Sequence, residues 1–194
     1  MKRLGITGGI GSGKSTVCEC FARRGIPIYD SDSRAKELMN TSLIQPIKEL
    51  FGRQAYINGE LNRAHIASVA FDNPDVLKQL NAVVHPAVGV DFEQWSESFG
   101  EDVPFVVLES AILFESGFDS RVDAVLFVDA PTEVRIARTM QRDGSDRDAV
   151  EKRIARQQTD QARAKADFVI NNSRNDDLKS AVDEVIVKLN RLWK

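Results

Sequence analysis

Eight residues near the amino terminus, Gly8-Gly9-Ile10-Gly11-Ser12-Gly13-Lys14-Ser15, have the types and spacing to grip a chain of phosphates. They fit G-x-x-x-x-G-K-[ST] at every fixed position. Glycines turn tightly and let backbone N–H groups approach phosphate oxygens with no Cβ in the way. A helix opening at Lys14 aims its positive dipole end at the same anion. Lys14 is expected to reach the β- and γ-phosphates, and the Ser15 hydroxyl to ligate Mg²⁺. Gly11, Ser12, Gly13, Lys14, Ser15 and Thr16 are thus candidate ATP-binding residues, with ATP and Mg²⁺ the expected ligands.

A second group of chemically capable residues is Asp30-Ser31-Asp32. Read as the extended end of a strand, it carries Asp30 and Asp32 two apart, on the same side. Phosphoryl transfer needs a carboxylate beside the attacking hydroxyl, to orient it and take its proton. Asp32 is the candidate base, and Asp30 would hold metal-bound water or brace its neighbour. The alternative is helix capping, since Ser31 or Asp32 precedes Arg34-Ala35-Lys36-Glu37-Leu38.

Seven arginines fall between positions 135 and 163: 135, 138, 142, 147, 153, 156 and 163. Arg135, Arg138 and Arg142, spaced i, i+3 and i+7, share one helical face. Guanidinium groups match the charge and geometry of a transferring phosphoryl group, and a moving lid would deliver them. Arg142 is the candidate for that role. The competing reading pairs these arginines with Asp143, Asp146, Asp148, Glu151 and Asp160 on a solvated face.

These residues need a scaffold, and the sequence supplies alternating strands and helices. Strands are expected at Arg3–Thr7, Pro27–Tyr29, Phe105–Leu108, Ala124–Val128 and Phe168–Ile170. Val125-Leu126-Phe127-Val128 is apolar at every position, as a strand buried on both faces must be. A first helix is expected from Lys14 to Arg24, with Val17, Cys18, Phe21 and Ala22 as its apolar stripe and Gly25 ending it. A last helix is expected from Asp176 to Leu192, burying Leu178, Val182, Val185, Ile186 and Leu189. About seventy residues between Asp32 and Phe105 show helical periodicity and few strand signals, too long for a crossover. They read as an inserted helical subdomain, 33–103, and a charged stretch at 139–166 reads as a second insertion.

Bulk composition excludes several classes. A net charge of −3 gives no global attraction to nucleic acid. No apolar run is long enough to span a bilayer, and the amino terminus turns into glycines too soon for a signal peptide. Cys18 and Cys20 match no zinc spacing and point to different faces of a helix, so they read as packing thiols in a reducing cytoplasm. Other small-molecule kinases share this pattern. A guanine-reading Asn-Lys-x-Asp segment is missing from the sequence, which argues against a GTP switch.

Taken together, these residues resemble the dephospho-coenzyme A kinase family. Thr7–Thr16 is similar to that family's phosphate loop at nearly every position, and Asp30-Ser31-Asp32 resembles its Asp-Ala-Asp motif. His85-Pro86 resembles its His-Pro pair, and Leu113-Phe114-Glu115 the end of its Pro-Leu-Leu-Phe-Glu segment. Arg138, Arg142, Arg153 and Gln157 match its lid pattern, and Ala166–Asn172 its segment beside the adenine. Ala111 stands where the family usually has proline. The resemblance implies one doubly wound α/β P-loop kinase domain, 1–194, with five parallel strands, a helical acceptor-binding insertion and a lid. It implies dephospho-CoA as acceptor, met by Asp32, His85, Leu113 and Glu115, with Arg142 and Asn171 joining the loop on ATP. For His85, fixing a turn before Pro86 is the alternative.

Overall fold

The computed structural model describes residues 1–71, 73–173 and 177–194. The chain divides into two compact units, 1–29 with 99–194, and 30–98. The first is built on a five-stranded sheet, β1 (Arg3–Thr7), β2 (Ile28–Asp30), β5 (Val106–Glu109), β6 (Ala124–Asp129) and β7 (Phe168–Asn171), in the order β2-β5-β1-β6-β7. β1 runs parallel to both β5 and β6, and β6 parallel to β7. The central strands have covered faces on both sides, which is why they are uniformly apolar: Leu4, Ile6, Leu126 and Val128 are fully buried. Each strand expected from sequence is present, four of them with ends shifted by one residue or so.

Helix α1 (Lys14–Ala22) packs against α9 (Leu178–Leu192) and the β1–β5 surface. It stops two residues before the expected Arg24. Arg24 and Gly25 donate back three residues, to Phe21 and Ala22, and Ile26 N–H reaches Phe21 O. Gly25, at φ 78°, allows that reversal. Ala22, placed on the apolar stripe by periodicity, is exposed, and Cys20 is buried instead. Both cysteines are buried because α1 is covered on more than one side, and neither forms a disulfide. α9 buries Leu178, Val182, Val185 and Leu189, with Ile186 packed at the core edge. Its expected first residue, Asp176, lies outside the described residues. Phe21, Phe105 and Trp193 meet edge to face, with centroids at 6.2 and 5.3 Å.

The remaining helices of this unit follow β6: α6 (Thr132–Asp143), α7 (Arg147–Ala155) and α8 (Thr159–Lys165). Asp146 caps α7 by accepting from Ala149 N–H, and Gly144, at φ 64°, closes α6.

The second unit holds α2 (Ser31–Met39), α3 (Ile44–Phe51), a hairpin of β3 (Tyr56–Ile57) and β4 (Glu60–Leu61), α4 (Arg63–Phe71) and α5 (Pro74–Glu97). Arg34 on α2 grips Asp91 on α5 with two hydrogen bonds, 2.9 and 2.6 Å. The hairpin was not expected. Its two-residue turn, Asn58-Gly59, has φ of 53° and 86°, the geometry that matches strand twist. That dipeptide signal is in the sequence, but strands of two residues have no alternation to detect.

Candidate active site

The glycine-rich segment connects β1 to α1, as expected, and its glycines are required by what surrounds them. A Cβ on Gly9 would lie 2.1 Å from Arg135 Nη2. Gly13 has φ 90°, and a Cβ there would lie 2.1 Å from Asn172 Nδ2. Ser12 N–H closes the turn on Gly9 O at 3.1 Å, and Lys14 Nζ donates to Gly8 O at 3.0 Å. α1 begins at Lys14, so its first-turn N–H groups, including those of Ser15 and Thr16, have no intrahelical acceptor. They are the donors an anion would take. Both residues are exposed.

Side chains from distant elements hold this loop. Asn172, just past β7, is buried and donates from Nδ2 to Ser12 O at 2.8 Å. Arg138 on α6 donates to Asn172 O at 3.1 Å and Ser12 O at 3.5 Å. Arg135, only 7% exposed, donates from Nε to Ile10 O at 3.0 Å and from Nη2 to Gln157 Oε1 at 3.1 Å. Burial lowers the Arg135 pKa, and the carboxylates of Asp129 and Asp160 oppose that shift. Sequence reasoning selected Asn171 and passed over its neighbour. Asn171 is exposed at the end of β7, paired in register with Asp129. The missed signal was the approach of Asn172 to Gly13, which needs tertiary structure to see.

The three arginines of the α6 face therefore divide. Arg135 and Arg138 bind loop and Asn172 carbonyls. Arg142, at the exposed end of the helix, pairs side-on with Asp143 at 2.7 and 3.2 Å. Arg153 on α7 reaches the same carboxylate at 2.8 Å. The two guanidinium groups hold the Asp143 carboxyl well below the usual carboxylate range, and Asp143 raises Arg142 in turn.

Acceptor-side candidates also separate. Glu115 lines a narrow recess with Thr7, Gly8, Ala111, Gln157 and Thr159. Leu113 is fully buried, and a Cβ on Gly5 would lie 2.9 Å from its Cδ2. Its side chain belongs to the core, which leaves its backbone for any contact with substrate. Glu109 ends β5 opposite Ile6.

Asp30 is the extended last residue of β2, and from Ser31 onward the chain is helical. Asp30 is the N-cap of α2, accepting from Asp32 and Ser33 N–H at 3.0 and 3.1 Å, and the helix starts at Ser31. The same-side argument for two strand residues is thus corrected, and so is the choice of capping residue. Asp32 is exposed in the first turn, where the helix dipole favours a negative charge. His85 sits in the middle of α5, with Pro86 inside the same helix, so no turn exists there for it to fix. Burial lowers the His85 pKa.

Among the described residues no group of three or more His, Cys, Asp or Glu side chains could hold a metal. Mg²⁺ suits the loop, since it keeps several waters and is bound through one or two protein oxygens plus phosphates. The exposed Ser15 hydroxyl in the first turn of α1 is such an oxygen. No described helix is long and apolar enough to cross a membrane.

The chain is similar to known proteins over most of its length. A family model described as dephospho-CoA kinase matches residues 3–177. The dephospho-CoA kinase of Porphyromonas gingivalis is 46% identical over 168 residues, covering 86% of this chain and 82% of that protein. A solved protein of Thermus thermophilus superposes with a TM-score of 0.84 at 36% identity, covering 97% of each chain. The dephospho-CoA kinase of Campylobacter jejuni shares the fold, with a TM-score of 0.74 at 23% identity over the whole of both chains.

Proposed function

Because the chain belongs to the dephospho-CoA kinase family, we propose that it transfers the γ-phosphoryl group of ATP to the ribose 3′-hydroxyl of dephospho-CoA, giving CoA and ADP. The observation that carries the chemistry is the Gly8–Ser15 loop, whose glycines lie against Arg135 and Asn172 where any side chain would collide. The family supplies the acceptor.

In this reading Gly11, Ser12, Gly13, Ser15 and Thr16 bind the phosphates through backbone N–H groups, and Asn171 borders the nucleotide. Lys14 swings from Gly8 O to the β- and γ-phosphates. Ser15 would hold Mg²⁺, which would neutralise charge on the phosphates. Asp32 takes the 3′-hydroxyl proton as the ribose oxygen bonds to the γ-phosphorus. The bond from that phosphorus to the β,γ-bridging oxygen breaks, and ADP leaves with the electron pair. Arg142 offsets charge on the transferring group. Residues 33–103 form the acceptor-binding insertion, with His85 on it, and Glu115 and the Leu113 backbone complete the acceptor contacts. Residues 139–166 form the lid. Two buried cysteines that form no disulfide suit a reducing cytoplasm.

The test is ADP release from ATP-Mg²⁺ with dephospho-CoA and with a panel of nucleosides and nucleoside monophosphates. Release only with dephospho-CoA, and a product with the mass of CoA, is expected. Release with a different acceptor would overturn the substrate assignment.

A further inference from the structure

Gln157 lies in the turn between α7 and α8, and one atom of it does two things. Its Oε1 accepts the Ile10 N–H at 2.8 Å and the Arg135 Nη2–H at 3.1 Å. Arg135 Nε in turn donates to Ile10 O at 3.0 Å. Two successive peptide groups of the loop, on either side of the Ile10 Cα, are therefore fixed by one closed circuit. Gly11 follows at once with φ 75°, so the circuit sets the loop's path into its left-handed turn. The only atom shared by the loop contact and the Arg135 contact is the Gln157 carbonyl oxygen.

We propose that Gln157 is a positioning residue for nucleotide binding: it acts through the Ile10 peptide and Arg135 to fix the loop, and so makes the affinity for ATP depend on where the α7–α8 turn sits. It does this purely as an acceptor, without touching phosphate. Losing Gln157 takes the shared acceptor from the Arg135 Nη2–H and from the Ile10 N–H together. This rests on the reading that the loop holds ATP. It does not depend on the acceptor.

The test compares Gln157→Ala and Gln157→Glu by titration with ATP-Mg²⁺ in the absence of acceptor, and by steady-state kinetics and thermal melting. Glutamate keeps an oxygen at the same reach and can accept both bonds, whereas alanine keeps none. Gln157→Ala is expected to weaken ATP binding about tenfold with the KM for acceptor unchanged and a melting temperature only a few degrees below wild type. Gln157→Glu is expected to recover to within about threefold of wild type, since a charge-assisted bond to Arg135 replaces a neutral one. Unchanged ATP affinity in Gln157→Ala would overturn the proposal. So would Gln157→Glu binding ATP more weakly than Gln157→Ala, because an acceptor oxygen at that position would then not restore the loop. If ATP binds as expected but dephospho-CoA is not phosphorylated, the acceptor reading fails and this one stands.

Discussion

Asn172 donates from its buried Nδ2 to the carbonyl of Ser12, 160 residues earlier in the chain, at 2.8 Å. Its backbone N–H is held by Asp129 O at 2.7 Å, at the end of the neighbouring strand. The far end of the sheet thus fastens the phosphate loop through one amide. Asn172→Ala should cost about 1–3 kcal/mol of stability, the range for stranding a buried polar partner. Weaker ATP binding should accompany it, because the loop loses its support at Ser12. Denaturant unfolding and nucleotide titration check both. A variant that melts lower but binds ATP normally would confine Asn172 to a packing role.

Lys14→Ala and Asp32→Asn should both lower turnover strongly, and for different reasons. Lys14→Ala removes a cation from the phosphates and should impair ATP binding too. Asp32→Asn should leave ATP affinity near normal while single-turnover chemistry slows. Because Asp32 is exposed and its capping neighbour Asp30 is untouched, the fold should lose no more than about 1 kcal/mol. Full single-turnover activity in Asp32→Asn would remove it from the role of base.

Arg142 offers a choice between chemistry and surface pairing. As an exposed partner of Asp143 it would contribute only about 0–1 kcal/mol, and its loss would leave turnover intact. As a transition-state cation, Arg142→Ala should lower kcat by at least about 100-fold with little change in melting temperature. Arg142→Lys should rescue poorly, since lysine cannot reproduce the side-on grip of Asp143. Measured kcat for the two variants decides between them.

His85 makes stability depend on pH. Burial holds its folded pKa below the unfolded value near 6.5, so the unfolded chain binds the proton first as pH falls. Its contribution to stability is fully present above about pH 6.5 and is lost as pH drops through the folded pKa. Between pH 7.5 and pH 5.5 the wild type should therefore lose more in melting temperature than His85→Gln. Equal losses would mean that His85 protonates alike in both states.

The loop, the five strands and the two-sided burial of the sheet were readable from local pattern. Gly8–Ser15 is contiguous, and a glycine spacing that admits backbone to phosphate needs no knowledge of the rest of the chain. Val125–Val128 is apolar at every position because both its faces are covered. Ala22, by contrast, fits the α1 stripe yet is exposed, and Cys20 off the stripe is buried, since neighbours on more than one side decide which faces are covered.

Capping was legible as a possibility but assigned to the wrong residue, because whether β2 ends at Tyr29 or Asp30 depends on its pairing within the sheet. The partners of Arg135, Arg138, Gln157 and Asn172 were beyond the sequence altogether. Their contacts span 22 to 160 positions. A periodic helix face told only that Arg135, Arg138 and Arg142 lie together. How deep each one sits is set by what lies beside it: Arg135 is 7% exposed against the loop, and Arg142 is in solvent. Sequence by itself determined which chemistry this protein carries, because phosphate binding is written in a short contiguous run. Tertiary structure alone decided which side chains hold that run in shape, because hydrogen bonds between distant segments exist only once the sheet has brought their ends together.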